Sequence, residues 1–325
     1  MGSKTFAIMV LSTGDCPPQG GGKVPETKKK GKTTMARTRR IKFNDRDAFH
    51  HVTSRVSGRQ MLLAGSEIKA DMLDALERSA EFSGVNVGSF TILDNHFHVV
   101  IQVPSPAGTV PEEEVLRRYG VLMGAKASLR LESRLRAMRE SGDSLAAEGV
   151  VDRLRARMQD LSQFVKTFKE EFGRRFRKRR AYPGTLWEGR FKSTLIGEAE
   201  YLRRCAAYVE MNPIRAGIVT RAADYAWNTV GAAKRGNAFA IRCREWLLSV
   251  LGLTSGDSPR IEGWMMGRIA QISSGKIFGS ASFVAEMLGV FSDKVRSRSA
   301  RARKVKGIGF ASHGWKLAAE LEKAA

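Results

Sequence analysis

The run His96-Phe97-His98-Val99-Val100-Ile101-Gln102-Val103 constrains this chain more than any other segment. Successive side chains on a β-strand point to opposite faces with period two. Phe97, Val99, Ile101 and Val103 therefore make one wholly apolar face, and His96, His98, Val100 and Gln102 make the other. A strand of this pattern buries its apolar face against a core and holds two imidazoles side by side on the opposite face. Two readings fit a bare His-x-His. The imidazoles are either hydrogen-bonded members of a half-buried sheet or a pair of nitrogen ligands for a shared divalent metal. The rest of the chain has to decide between them.

Elements on either side give the strand a setting. Phe49–Val56 reads as a strand, and 67–82 as a helix with Met72, Leu73, Leu76 and Ala80 at helical spacing. Val85–Leu93 and His96–Val103 flank Asp94 and Asn95, two turn formers between apolar runs, which predicts a tight hairpin with His96 at its rim. Residues 104–111 form a loop, and 112–158 have a charged helical pattern broken at Gly142 and Asp143. Leu161, Phe164, Val165, Phe168, Phe172 and Phe176 make one apolar stripe on a long helix ended by Pro183 and Gly184. A strand over 191–196 and a helix over 201–210 follow. This order predicts an α+β ferredoxin-like sandwich, an antiparallel sheet with helices on one face, plus a mostly helical C-terminal extension. The domain division is a disordered extension over 1–34, a main domain over 35–236 with a helical insertion at about 105–158, and a basic region over 237–325.

Charge narrows the class of partner. The chain carries a formal charge of +22, which favours a polyanion and disfavours an enzyme of small substrates. The excess is clustered along Lys166–Arg180 and Lys294–Lys306. No apolar stretch approaches the roughly 20 residues of a membrane-spanning helix, so nucleic acid is the expected partner rather than a membrane. Cys16, Cys205 and Cys243 are too few and too widely spaced for a disulfide framework or a zinc site, and they fit a reducing cytoplasm.

The segments MARTRRIKF, FHHVTSRV, LDNHFHVVI, FVKTFKEEFGRRF, GTLWEGRFKS and YVEMNPIRAGIV occur in this order over about residues 35–230. In combination they resemble the REP-associated tyrosine transposases, within the single-tyrosine HUH superfamily. The resemblance implies metal-dependent cleavage and joining of single-stranded DNA at hairpin-forming ends. His96 and His98 would hold Mg2+ or Mn2+ against the scissile phosphate. A tyrosine on the following long helix would attack and form a covalent phosphotyrosine. It further implies a partner of single-stranded or hairpin DNA and a monomer or homodimer.

The nucleophile does not carry over. The matching positions are Phe172 and Arg175, or Phe176 in a shifted register, and neither side-chain type supplies a phenolic hydroxyl. Tyr182, just beyond the helix and beside many cations, is the nearest substitute; packing on the sheet is the rival role for it. Tyr201 and Tyr208 read as packing residues of a later helix. Arg174, Arg175, Arg177 and Lys178 on the long helix, with Arg190 and Lys192 of GRFKS, are the expected DNA-backbone contacts. Asn212, Pro213 and Arg215 read as a turn with a structural role first and a DNA contact second. The alternative function is a DNA-binding module of the same ancestry that has lost cleavage.

Overall fold

In the computed structural model, residues 41–43, 45–106, 108–254, 277–280 and 282–287 are described. The expected extension over 1–34 and the basic run 294–306 lie outside them. Four antiparallel strands form the sheet: β1 (Ala48–Arg55), β2 (Asn86–Ile92), β3 (His96–Val103) and β4 (Lys192–Ile196). A two-residue β5 (Ile277–Phe278) joins β4 in parallel. The strand order is β2-β3-β1-β4-β5. Helix α1 (Ser66–Ser83) links β1 to β2, and α5 (Leu161–Arg180) leads to β4. This is the β-α-β-β-α-β order of a ferredoxin-like sandwich, as the sequence pattern predicts.

The alternation in β3 sorts the two faces as read from the sequence. Phe97, Val99, Ile101 and Val103 join one core cluster with Met72 and Leu76 of α1 and the Phe164, Phe168, Phe172 and Phe176 stripe of α5. Phe97 meets Phe168 edge-on at 5.1 Å between centroids. Asp160 caps α5 by accepting from the backbone N–H groups of Ser162 and Gln163, each at 2.8 Å. Arg177–Arg180 occupy its last turn, where cations complement the helix dipole. Part of the basic run is thus explained by the helix itself.

The insertion folds as α2 (Glu112–Met123), α3 (Ala125–Glu140) and α4 (Ser144–Arg155). The break at Gly142 is present, with φ +84°. A further break at Gly124, with φ +90°, divides what the sequence pattern presents as one helical stretch. These helices bury Val115, Leu122, Leu135 and Val151 against Phe82 in a satellite core.

After β4 come α6 (Ala199–Glu210), the one-turn α7 (Asn212–Arg215), α8 (Thr229–Lys234) and α9 (Ala238–Val250). Helix α6 lies on the histidine face, burying Tyr201, Leu202, Cys205 and Val209 with Val100 and Ile196. The sandwich therefore carries helices beyond the α1/α5 layer. Helix α9, which opens the region from 237 onward, packs along edge strand β2. Phe239, Ala240 and Cys243 enter the main core, while Leu247 packs with the α6 cluster. Gly88 makes room for it, because a Cβ there would lie 2.9 Å from the Trp246 ring. No described helix is long and apolar enough to cross a membrane.

Candidate functional site

Register across the sheet assembles the site. In the β1–β3 ladder His96 lies opposite Arg55, His98 opposite Thr53, and Val100 opposite His51. In the β1–β4 ladder Thr53 lies opposite Lys192 and His51 opposite Thr194. Directly opposed residues share a face. One face therefore presents His51, Thr53, Arg55, His96, His98 and Lys192 together near the hairpin end. Arg55 and Lys192 are exposed, His96 is half-buried, and His51 and His98 are buried.

The hairpin turn is anchored on several sides. Leu93 N–H donates to His96 O at 2.9 Å, Val56 N–H to Asn95 O at 2.8 Å, and Leu63 N–H to Asp94 O at 2.8 Å. Lys69 pairs with the Asp94 carboxylate at 2.6 Å. His96 thus starts from a fixed backbone rather than a mobile loop. Its Nδ1 lies 2.6 Å from Asn95 Oδ1. His98 Nδ1 lies 2.8 Å from His51 Nε2, and those two rings are stacked with centroids 5.1 Å apart. The His96 and His98 rings meet edge-on at 5.0 Å.

Burial and surrounding cations keep these imidazoles neutral. Desolvation first, and Arg55 second, lower the pKa of His96 to about 4. Desolvation alone lowers His51 to about 4. His98 falls well below its usual value through burial, then through the neighbouring histidines, Arg215 and Arg55. Neutral imidazoles are the form that ligates a metal.

Helix α6 closes one side. Tyr208 meets the His51 ring edge-on at 5.8 Å and the His98 ring at 5.7 Å. The Arg215 guanidinium sits 4.9 Å from the centre of the Tyr208 ring. The Asn212-Pro213-Ile214-Arg215 segment explains this placement. Asn212 Nδ2 donates to Tyr208 O at 2.8 Å, turning the chain so that exposed Arg215 reaches back over Tyr208. Below it, Thr91 Oγ1 donates to Val209 O at 2.6 Å and Ser89 Oγ to Glu210 Oε1 at 2.7 Å, fastening α6 to β2. Burial pushes the Glu210 carboxyl up to about 7.

The other expected residues divide differently. Tyr182 packs edge-on against Phe176 at 5.7 Å and leans on the α1/α5 core. It lies on the opposite face from the histidines, so the structure does not bring this expected substitute nucleophile to them. Phe172 and Phe176 are buried in that same core. Trp187 packs there too, edge-on to Phe97 at 5.6 Å. Arg174 pairs with Glu171, and Arg175 with Glu171 at 3.0 Å and with Asp74. Those two cations are bound within the α1/α5 layer, away from the histidine face. Arg177, Lys178 and Arg190 are exposed. Of the expected DNA contacts, Lys192 is the one that β-register sets in line with the histidines.

The sequence reading passed over His51, Arg55 and Tyr208 as site residues. Period two along FHHVTSRV already sets Phe49, His51, Thr53 and Arg55 on one face. Which strand that face lies beside is a tertiary fact.

Among the described residues, no cluster of three or more His, Cys, Asp or Glu is arranged as a metal ligand set. The His96/His98 pair therefore offers at most part of a coordination shell, with the remainder left to water or phosphate oxygens. Mg2+ demands a nearly all-oxygen octahedron. Of the two ions the sequence resemblance implies, Mn2+ is the better match to a pair of imidazole nitrogens.

No protein-family model and no curated protein matches the chain. Among solved structures, the REP-associated tyrosine transposase bound to a REP hairpin is similar, with 15% identity and a TM-score of 0.39 over 62% of this chain and 87% of that one. At that TM-score the likeness carries no argument about function.

Proposed function

We propose that this chain is a transposase-like DNA-binding protein that holds the backbone of single-stranded or hairpin DNA at the histidine face. One observation carries the reading: neutral His96 and His98 are flanked on the same face by Arg55, Lys192 and Arg215. None of these three cations forms an ion pair among the described residues, whereas Arg174, Arg175 and Arg179 of α5 do; the unpaired Arg177 and Lys178 belong to that helix of the opposite layer. Cations without acidic partners beside potential metal ligands suit phosphate, whose oxygens both groups bind. The net charge of +22 and the ordered motifs of the sequence point the same way. A divalent ion held by His96 and His98 would supply polarisation of a phosphoryl oxygen. Arg55 and Lys192 would fix the backbone, and Arg215 would add charge from the α7 side.

A second reading, DNA binding without strand cleavage, rests on a separate observation. The helix matching the family's nucleophile helix presents Phe172 and Phe176 to the core, and Tyr182 packs on that same side. Tyr208 is the tyrosine that meets the histidines.

The test is DNA affinity as a function of salt. Each phosphate contact to single-stranded DNA contributes a slope of about 0.7 in log K against log salt. Replacing Arg55, Lys192 and Arg215 with Gln together is expected to flatten the slope by about 2. Replacing Arg174 and Arg175 with Gln should change it little. The reverse order would place the DNA on α5 and overturn the proposal.

A further inference from the structure

Each ring of the histidine pair has one nitrogen already engaged, and it is the same nitrogen in both. His96 Nδ1 faces Asn95 Oδ1 at 2.6 Å, and His98 Nδ1 faces His51 Nε2 at 2.8 Å. For a neutral imidazole, the hydrogen bond made by one ring nitrogen decides which nitrogen carries the proton. The orientation of Asn95 is not free. Its Nδ2 donates to Arg59 O at 3.2 Å, which turns Oδ1 toward His96. Arg59 holds that carbonyl with φ +56°, a left-handed conformation unusual for a non-glycine residue. An amide oxygen has no proton to give, so His96 Nδ1 must be the donor, and its Nε2 carries a lone pair.

The His51–His98 contact allows two directions. Either His98 Nδ1–H donates to His51, or His51 Nε2–H donates to His98. In the first case His98 Nε2 carries a lone pair; in the second it carries a proton. The surroundings choose between them. Arg55 stands opposite His96 on the face that His98 shares, and Arg215 lies over Tyr208, whose ring meets the His98 ring edge-on at 5.7 Å. With His51 held against Nδ1, these cations favour a lone pair rather than an N–H on the other nitrogen of the ring.

We infer that Asn95 and His51 are positioning residues that lock His96 and His98 in the Nδ1–H tautomer, so that both Nε2 lone pairs are free before any ligand arrives. The inference rests on the proposed histidine-face site and deepens it. It gives a role to Asn95, in the β2–β3 turn beside His96, and to His51 of β1, which the strand register brings to His98. It presupposes the ligand chemistry already proposed for the site, a divalent cation accepting two imidazole nitrogens. Second-shell partners of ligating histidines act in this way, fixing tautomer and ring orientation.

The experiment uses the full chain with 15N-labelled histidine, metal-free and at neutral pH, in long-range 1H–15N correlation spectra. His96 and His98 are expected to show a protonated Nδ1 and an unprotonated Nε2. His51→Phe removes the acceptor and should move His98 toward the Nε2–H form; His51→Gln, which restores an oxygen acceptor, should move it back. Asn95→Ala should release His96 alone, and it serves independently if His51→Phe does not fold. Mn2+ is then titrated into each protein. Loss of either lock is expected to weaken Mn2+ binding by about 10- to 100-fold. An Nε2–H signal from either histidine in the wild-type protein would overturn the inference, whatever Mn2+ does. The Nδ1–H pattern without any Mn2+ effect would uphold the tautomer lock and instead remove the metal from the proposed function.

Discussion

Phe172→Tyr, which returns a phenol to one of the positions where the transposase resemblance places one, should yield a weaker protein and no new chemistry. Phe172 is fully buried, with the Phe176 ring 5.9 Å and the Trp187 ring 6.0 Å from its centre. Its surroundings are the apolar α1/α5 core, opposite the face that carries His96 and His98. A new hydroxyl there loses its water and gains no partner, a cost of about 1–3 kcal/mol. For a domain of this size each kcal/mol lowers Tm by about 2–4 °C, so a fall of about 2–12 °C is expected. Thermal unfolding followed by circular dichroism measures the stability. A denaturing gel after incubation with hairpin DNA and Mn2+ measures covalent adduct, and none beyond that of the wild-type protein should form. Unchanged stability together with a strong adduct would refute the assignment of the two faces.

Further outcomes follow from other parts of the molecule. If wild-type protein forms any DNA adduct, it should survive Tyr182→Phe and disappear in Tyr208→Phe, since Tyr208 is the tyrosine set against the histidines; the gel assay reads both variants. Between about pH 4 and 6.5 the unfolded chain binds more protons than the native one at His50, His51 and His96, each lowered to about 4. Their stabilisation is full above pH 6.5 and is lost as pH falls toward 4, which denaturant titrations across that window would show. Glu210, raised to about 7, acts with opposite sign, so Glu210→Gln should remove a contribution that declines as pH rises from about 4.5 to 7. Gly88→Ala puts a methyl group 2.9 Å from Trp246 and should cost about 1–3 kcal/mol by forcing α9 away from β2; an unchanged unfolding midpoint would mean that this packing is looser than described.

The sheet was legible because its signals are local. Period two in His96–Val103, the Asp94-Asn95 turn and the aromatic stripe of α5 each specify their element without help from distant residues. Those elements appear within a few residues of their expected limits. The break at Gly124 escaped because the flanking residues, Met123 and Ala125, continue a helical pattern and only the backbone dihedral reveals it. The site was half legible. His96 and His98 sit on one strand, so their shared face follows from spacing alone. His51 and Lys192 join them through β1–β3 and β1–β4 register, and Tyr208 through the packing of α6, none of which a single sequence displays. The cationic α5 was only partly legible for a related reason. Sequence shows charge but not pairing, and Asp71, Asp74 and Glu67 on α1 take up Arg175 and Arg179.

The central proposal is that His96 and His98 form a metal-assisted phosphate site on the histidine face of the sheet. Fluorescence anisotropy of a labelled hairpin-tailed oligonucleotide, titrated with protein in the presence of Mn2+ or of a chelator, tests it most directly. The account predicts tighter binding with Mn2+ in the wild-type protein, and no Mn2+ effect in the folded His96→Ala, His98→Ala double variant. An equal Mn2+ effect in both proteins would contradict it.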